Sequence, residues 1–290
     1  MSQDRTHVSV LFKETIDALT PHADGKYIDG TLGAGGHAAG ILDASAPTGR
    51  LLGLDADSNA LTVASQNLAR YGDRVLLIHS NFENLQSVAN ANGFLPADGI
   101  VLDLGLSSMQ LADAGRGFSF LSEGALDMRF NVDNETTAAE LVNTLDEKEI
   151  ADLIFEYGEE HASRRIARAI VNARPIETAS QLASVIERAV GRHSRIHPAT
   201  KTFQALRIAV NRELEVIDQV LPQIVETLAP GGRVVIISFH SLEDRRIKNF
   251  FRTSEQLRVV TKHPIRPSRA ESIANSRSRS AKLRVAEKRN

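Results

Sequence analysis

Asp29-Gly30-Thr31-Leu32-Gly33-Ala34-Gly35-Gly36-His37 constrains this chain more than any other segment. It follows a short β-rich run, Lys26–Asp29, and passes directly into a helical pattern. Glycines here let the backbone turn tightly and approach a ligand that side chains would hold off. Three more β-rich runs follow at residues 51–55, 75–79 and 99–103, with helical patterns between them. In residues 57–70, for example, Leu61, Ala64 and Leu68 fall on one face. Strand–helix alternation at this spacing predicts a parallel sheet with helices on both faces.

The alternation stops after Asp113. From there to about Thr202 the pattern is helical only, and the α/β pattern then resumes. A long helical stretch is expected over residues 202–229, a strand over 232–239, and two strand-like runs at 258–261 and 281–286. The reading is therefore one discontinuous α/β domain, residues 1–112 and 203–290, carrying an inserted helical domain, residues 113–202. Charge is segregated along the same lines. The net charge is −2, yet residues 245–290 hold 14 Lys/Arg against 3 Asp/Glu. Residues 131–160 hold 10 acids and one Lys, and residues 164–212 hold 10 Lys/Arg and two Glu. In the helix expected at 161–174, Ile166, Ala169, Ile170 and Ala173 form an apolar stripe, and Arg164, Arg165 and Arg168 share the other side. Segregated positive charge suits a polyanion such as RNA. The plainer alternative is a basic face that pairs with the acidic stretch.

Several classes are excluded by absence. The chain has no cysteine, which removes disulfides, thiolate metal sites, iron–sulfur clusters and any cysteine nucleophile. No metal is expected, because no His or carboxylate cluster has ligand spacing. The apolar runs fall far short of the ~20 residues a membrane helix needs, and residues 1–7 lack the apolar core of a signal peptide. A cytoplasmic protein is expected, with no membrane contact.

The second strand ends at Asp55, 22 residues after Gly33, where a carboxylate can accept both hydrogen bonds of a ribose diol. Taken alone, Gly33-x-Gly35-x-x-Ala38 also fits a dinucleotide fold, so an NAD-dependent oxidoreductase is the competing class. Three features count against it: an acid, Asp29, where methyltransferases commonly hold a methionine ammonium; a polar loop, Asp103-Leu104-Gly105-Leu106-Ser107-Ser108; and closing strand runs that suit a methyltransferase sheet with an antiparallel last strand. Phe82 offers a flat apolar face for adenine, or is simply a core residue. His240 follows the 232–239 strand at the edge where open α/β sheets bind ligands; it either lines a base pocket or is structural. Arg116 and Arg129 flank a Gly/Phe-rich loop able to cover the pocket, and His193 and His197 lie among arginines. A third class is an RNA-binding chaperone with a dead pocket.

From Asp103-Leu104-Gly105-Leu106-Ser107-Ser108-x-Gln110-Leu111 onward the sequence ceases to be generic. With Arg116-Gly117-Phe118-Ser119-Phe120, Tyr157-Gly158-Glu159-Glu160, His197-Pro198-Ala199-Thr200 and Ile237-Ser238-Phe239-His240-Ser241-Leu242-Glu243-Asp244, it resembles the bacterial RsmH (MraW) family over nearly its whole length. These are 16S rRNA cytosine-N4-methyltransferases. The resemblance implies a Rossmann-like class I methyltransferase sheet with an all-helical insertion for substrate recognition. It implies S-adenosylmethionine as cofactor, held by positions matching Gly35, Gly36, His37, Asp55, Phe82, Asp103 and Gln110. It also implies 16S rRNA or the small ribosomal subunit as partner, with the exocyclic amine of a decoding-centre cytidine as methyl acceptor, and leaves a homodimer open. Asp103 and the Leu104 carbonyl are the best-placed acceptors for the amine's protons. His240, Arg164, Arg165 and Arg168 are expected on the substrate. Ser9, Met109 and Ser276 stand where the family usually has Pro.

Overall fold

In the computed structural model the four early β-rich runs become β1 (Lys26–Asp29), β2 (Arg50–Asp55), β3 (Val75–His79) and β4 (Ala97–Asp103). Three later strands follow: β5 (Leu228–Ser238), β6 (Leu257–Val259) and β7 (Lys282–Lys288). The structure describes residues 9–192 and 197–290, so His193 lies outside the described residues. The strands form one sheet in the order β3-β2-β1-β4-β5-β7-β6. From β3 to β5 every pairing is parallel, and β7 runs antiparallel to both β5 and β6. Runs such as Leu51, Leu52 and Leu54, or Ile100, Val101 and Leu102, are buried throughout, as expected of parallel strands covered on both faces.

Topology fixes where a ligand can sit. From β1 the chain winds outward to β3, then returns to place β4 on the other side of β1. That reversal opens a crevice beyond the C-terminal ends of β1 and β4. Because β7 is antiparallel, its beginning lies at the same edge: Asp103 pairs with Ile237, and Ile237 pairs with Leu283.

The chain divides into two compact units, Met1–Gly105 with Glu215–Asn290, and Leu106–Leu214. The second is helical and runs wider than the expected 113–202. Helix Thr200–Asn211 buries Phe203, Leu206 and Val210 in the same apolar cluster as Ile154, Ile166 and Ile170, which draws it into the helical unit. The single helix expected over residues 202–229 is two, Thr200–Asn211 and Glu213–Thr227. Arg212 separates them in a left-handed conformation, φ 50°. In the other unit Val10, Leu32, Ile41, Leu51, Val101 and Leu283 share a core against the sheet. No described helix is long and apolar enough to cross a membrane.

Candidate active site at the C-terminal edge of the sheet

The glycine turn connects β1 to helix Gly36–Ala44 and is shaped by two positions. Gly35 has φ 84°, a conformation that costs a side-chain-bearing residue energy. At Gly36 a Cβ would lie 2.1 Å from Ser9 Oγ, so Ser9 occupies the space a side chain would need. Ser9 is thus packed under the turn. Asp55, at the end of β2, fastens the turn from the other side: Oδ2 accepts the Gly33 N–H at 2.7 Å and Oδ1 accepts the Asp57 N–H at 2.8 Å. Each oxygen retains acceptor capacity for one further donor. Burial raises the Asp55 pKa, and the two N–H donors oppose that shift.

Asp29, His37 and Asp103 gather where β1 and β4 end. Asp29 is 1% exposed and accepts the Thr31 N–H at 3.1 Å. Its pKa is pushed up to about 7, first by burial and then by the charges of Asp103 and Asp55; His37 and the Thr31 N–H pull the other way. Thr31 Oγ1 accepts the Asp103 N–H at 2.6 Å and ties the two strand ends together. The His37 ring, 5% exposed, stacks on Phe12 and places Nε2 3.7 Å from Asp103 Oδ2. That is an ion-pair separation, longer than a hydrogen bond. Burial works against the charged ring, but Asp103 and Asp29 outweigh it and raise its pKa. Both ring nitrogens of His37 and Oδ1 of Asp103 are buried without a hydrogen-bond partner among the described residues. Unmet buried polar atoms are rare and costly in folded proteins. Three here, beside a turn built for close backbone approach, fit a ligand that brings its own donors and a positive charge.

Two more expected residues can be placed in this unit. Phe82 is half-buried at the start of the short turn Phe82–Asn84. His240 instead caps helix Ser241–Thr253: Nδ1 accepts the Glu243 N–H at 3.4 Å, and Glu243 Oε2 accepts the Phe239 and His240 N–H groups at 2.8 and 3.2 Å. Nε2 lies 3.1 Å from Glu243 Oε1 in a site where the two side chains are 8% and 1% exposed. Capping gives this histidine a structural role, and its buried Nε2 makes no hydrogen bond among the described residues.

In the helical unit, Gln110 completes a capping box on helix Ser108–Ala112. Its Oε1 accepts the Ser107 N–H at 3.0 Å, and its own N–H donates to Ser107 Oγ at 3.1 Å. The cap fixes the orientation of the Gln110 side chain. Arg116 donates to the carbonyls of Arg129 and Phe130, and Arg129 grips Asp127, so both arginines order their own loop. Arg164, Arg165 and Arg168 are exposed along helix Ser163–Asn172. Arg168 pairs with Glu147 at 3.4 Å, a solvent-exposed contact of little energetic weight. His197 stacks on Phe120 at 4.3 Å.

Most cations of the basic tail are exposed, and some are ion-paired. Arg284 and Lys282 both bind Asp244, at 2.6 and 3.1 Å. Arg258 and Arg233 share Glu287, and Arg246 pairs with Asp218. Four of the tail's 14 cations, Arg246, Arg258, Lys282 and Arg284, are thus held by acids inside their own unit. Sequence reasoning also missed Arg277, which sits half-buried within electrostatic reach of Asp103. The available signal was the antiparallel last strand, which brings whatever precedes it to the ligand edge.

The chain matches the MraW methylase family over residues 4–289. It is 48% identical to the ribosomal RNA small subunit methyltransferase H of Dehalococcoides mccartyi, covering 97% of this chain and 86% of that one. With the protein of the same name from Thermomicrobium roseum it is 49% identical, covering 98% and 94%. A solved rRNA-methylase structure from Clostridium thermocellum shares the fold at a TM-score of 0.50 and 14% identity, covering 97% of this chain and 99% of that one.

Proposed function

The chain belongs to the MraW methylase family, and from that premise we propose that it methylates the exocyclic N4 of a cytidine in the decoding centre of 16S rRNA. The observation that carries the acceptor chemistry is Asp103 Oδ1, buried at the end of β4 with no hydrogen-bond partner. The methyl donor is S-adenosylmethionine, which when bound supplies an electrophilic methyl on a sulfonium leaving group. The residues at the edge fit it. The turn through Gly35, Gly36 and His37 admits close backbone approach, Asp55 can accept from ribose hydroxyls, and Phe82 presents a flat apolar face for adenine. Asp29 and Asp103 supply negative charge for the cationic end.

The lone pair of cytosine N4 is delocalised into the ring, so the amine is a weak nucleophile. A strong base is not required. As N4 becomes tetrahedral, Asp103 Oδ1 accepts its hydrogen, and the Leu104 carbonyl is a second acceptor on the same loop. Alignment of this kind is worth ~7–11 kcal/mol in favourable cases. The helical unit recognises the substrate, with the exposed arginines 164, 165 and 168 on phosphates. An enzyme acting on the ribosome works in the cytoplasm.

Transfer of labelled methyl groups to small subunits from a strain lacking the activity tests this reading. Label is expected in 16S rRNA; its absence, under conditions where the protein binds S-adenosylmethionine, overturns the proposal.

A further inference from the structure

Between β6 and β7 the chain makes an excursion, and its residues 262–280 carry five Lys/Arg and a single acid, Glu271. Sheet register fixes where it stands. Ile265 and Leu283 exchange both backbone N–H···O bonds at 2.9 Å, Leu283 pairs with Ile237, and Ile237 pairs with Asp103. Neighbouring strands lie about 4.8 Å apart, so three steps across the sheet put the Ile265 backbone about 14 Å from that of Asp103. The excursion therefore begins at the ligand edge, within a few nucleotides' reach of the strand end that meets the acceptor base.

Its backbone is anchored. Ile265 packs against the core that contains Leu283, and prolines at 264 and 267 fix φ on either side. Ser268 Oγ accepts the Glu271 N–H at 3.1 Å, and Glu271 Oε1 accepts the N–H of the buried Leu11 at 2.8 Å. The one acid is thus engaged by the backbone of another segment. Lys262, Arg266 and Arg269 are exposed, and among the described residues none of them makes an ion pair or a side-chain hydrogen bond. Neighbouring cations differ: Arg279 donates to the Ser272 carbonyl, Lys282 and Arg284 bind Asp244, and Arg258 binds Glu287. Three unneutralised cations on a fixed backbone suit a polyanion, and the polyanion nearest to a base entering at Asp103 is the strand that carries it.

We propose that residues 262–269 are a phosphate-docking surface of the sheet unit, with Lys262, Arg266 and Arg269 on the backbone of the 16S rRNA strand flanking the acceptor nucleotide. The inference rests on the rRNA reading above. It gives the unit that holds the cofactor its own grip on the substrate, beside that of the helical insertion. Phosphate contacts set register and orientation and carry no base information, so this surface governs affinity and leaves the chemical step unchanged.

The test reads the salt dependence of binding. Small subunits from a strain lacking the activity are titrated with three proteins: the native chain, a neutral triple variant (Lys262→Gln, Arg266→Gln, Arg269→Gln) and a charge-keeping one (Lys262→Arg, Arg266→Lys, Arg269→Lys). Each phosphate contact contributes about −0.7 to the log–log slope of affinity against salt. The neutral triple should have a slope shallower by about 2, which over a fourfold change in salt amounts to about 16-fold in affinity. The charge-keeping variant should retain the native slope. S-adenosylmethionine affinity and the single-turnover rate at saturating subunits should match the native values in both. An unaltered slope in the neutral triple overturns the proposal, as does an equal loss of slope in both variants or a loss confined to the rate at saturation. If the triple fails to fold, the three single Gln variants are read instead, each expected to lose about 0.7 of slope. Photo-crosslinking with Arg266→p-benzoylphenylalanine identifies the partner: adducts with 16S rRNA are expected, and adducts confined to a ribosomal protein overturn the assignment to RNA. Methyl transfer by the native protein is scored in the same subunits. No methyl in 16S rRNA sinks the underlying function, whereas methylated rRNA with an unaltered slope sinks only the docking surface.

Discussion

Two clusters of buried polar groups, one in each unit, are handled in opposite ways. In the helical unit Asn211, 9% exposed, accepts the Phe130 N–H and donates to the Met128 and Arg207 carbonyls. Arg207 and Glu213 form a two-bond pair at 2.7 and 2.8 Å. At the edge of the sheet, by contrast, His37 and Asp103 keep buried atoms unmatched, and Asp29 is pushed up to about 7 by burial and two neighbouring carboxylates. A satisfied network fixes a structure, whereas an unsatisfied one costs stability unless something else completes it. The difference separates polar groups kept for architecture from polar groups kept for a ligand.

The largest expected effect breaks the architectural side. Asn211→Ala leaves the Phe130 N–H and the Met128 carbonyl without their partner, and should cost about 3 kcal/mol of stability, read by urea unfolding. A loss below about 1 kcal/mol would show that the network is dispensable. On the ligand side, Asp103→Ala should slow single-turnover methylation about a hundredfold at saturating cofactor and RNA. If only cofactor affinity changed, the acceptor role would be withdrawn. Asp55→Ala should weaken S-adenosylmethionine by about 2 kcal/mol in calorimetry, and native-like affinity would remove Asp55 from the site. His240→Ala tests a residue assigned to architecture within the unit that binds the ligand. It should cost about 1 kcal/mol of stability, as lost caps do, and leave the rate at saturation intact.

The smallest effect is a proton. Asp29 has a pKa of about 7 against an ordinary 3.8, and that of His37 is raised above its usual value. A bound cation favours the ionised carboxylate and disfavours the charged ring, so both groups lose protons. Binding S-adenosylmethionine near pH 7 should therefore release protons. Calorimetry in buffers of low and high ionisation enthalpy measures this, and Asp29→Asn should reduce the release. Net proton uptake would contradict the charge assignment.

The sheet was legible because the sequence signals for it are local. Each of β1 to β4 is a short β-rich run ending in a polar residue, and Asp29, Asp55 and Asp103 could be named as strand ends from that pattern alone. The glycine turn was legible for the same reason, since its backbone demands show in residue type. Sequence alone did not reveal long-range partners. The sequence did not show that His240 and Gln110 each cap their own helix through an acceptor atom. In sequence the tail gives no sign that Lys282 and Arg284 are held by Asp244 and Arg258 by Glu287.

The central claim is methyl transfer to N4 of a 16S rRNA cytidine, and nucleoside mass spectrometry tests it most directly. Small subunits from a strain lacking the enzyme are incubated with the purified protein and S-adenosylmethionine, and their 16S rRNA is digested to nucleosides before and after. N4-methylcytidine, absent before incubation and present after it, is the predicted result. A methyl group on ring carbon 5 or on the ribose 2′-oxygen, or no new nucleoside at all, would contradict the account.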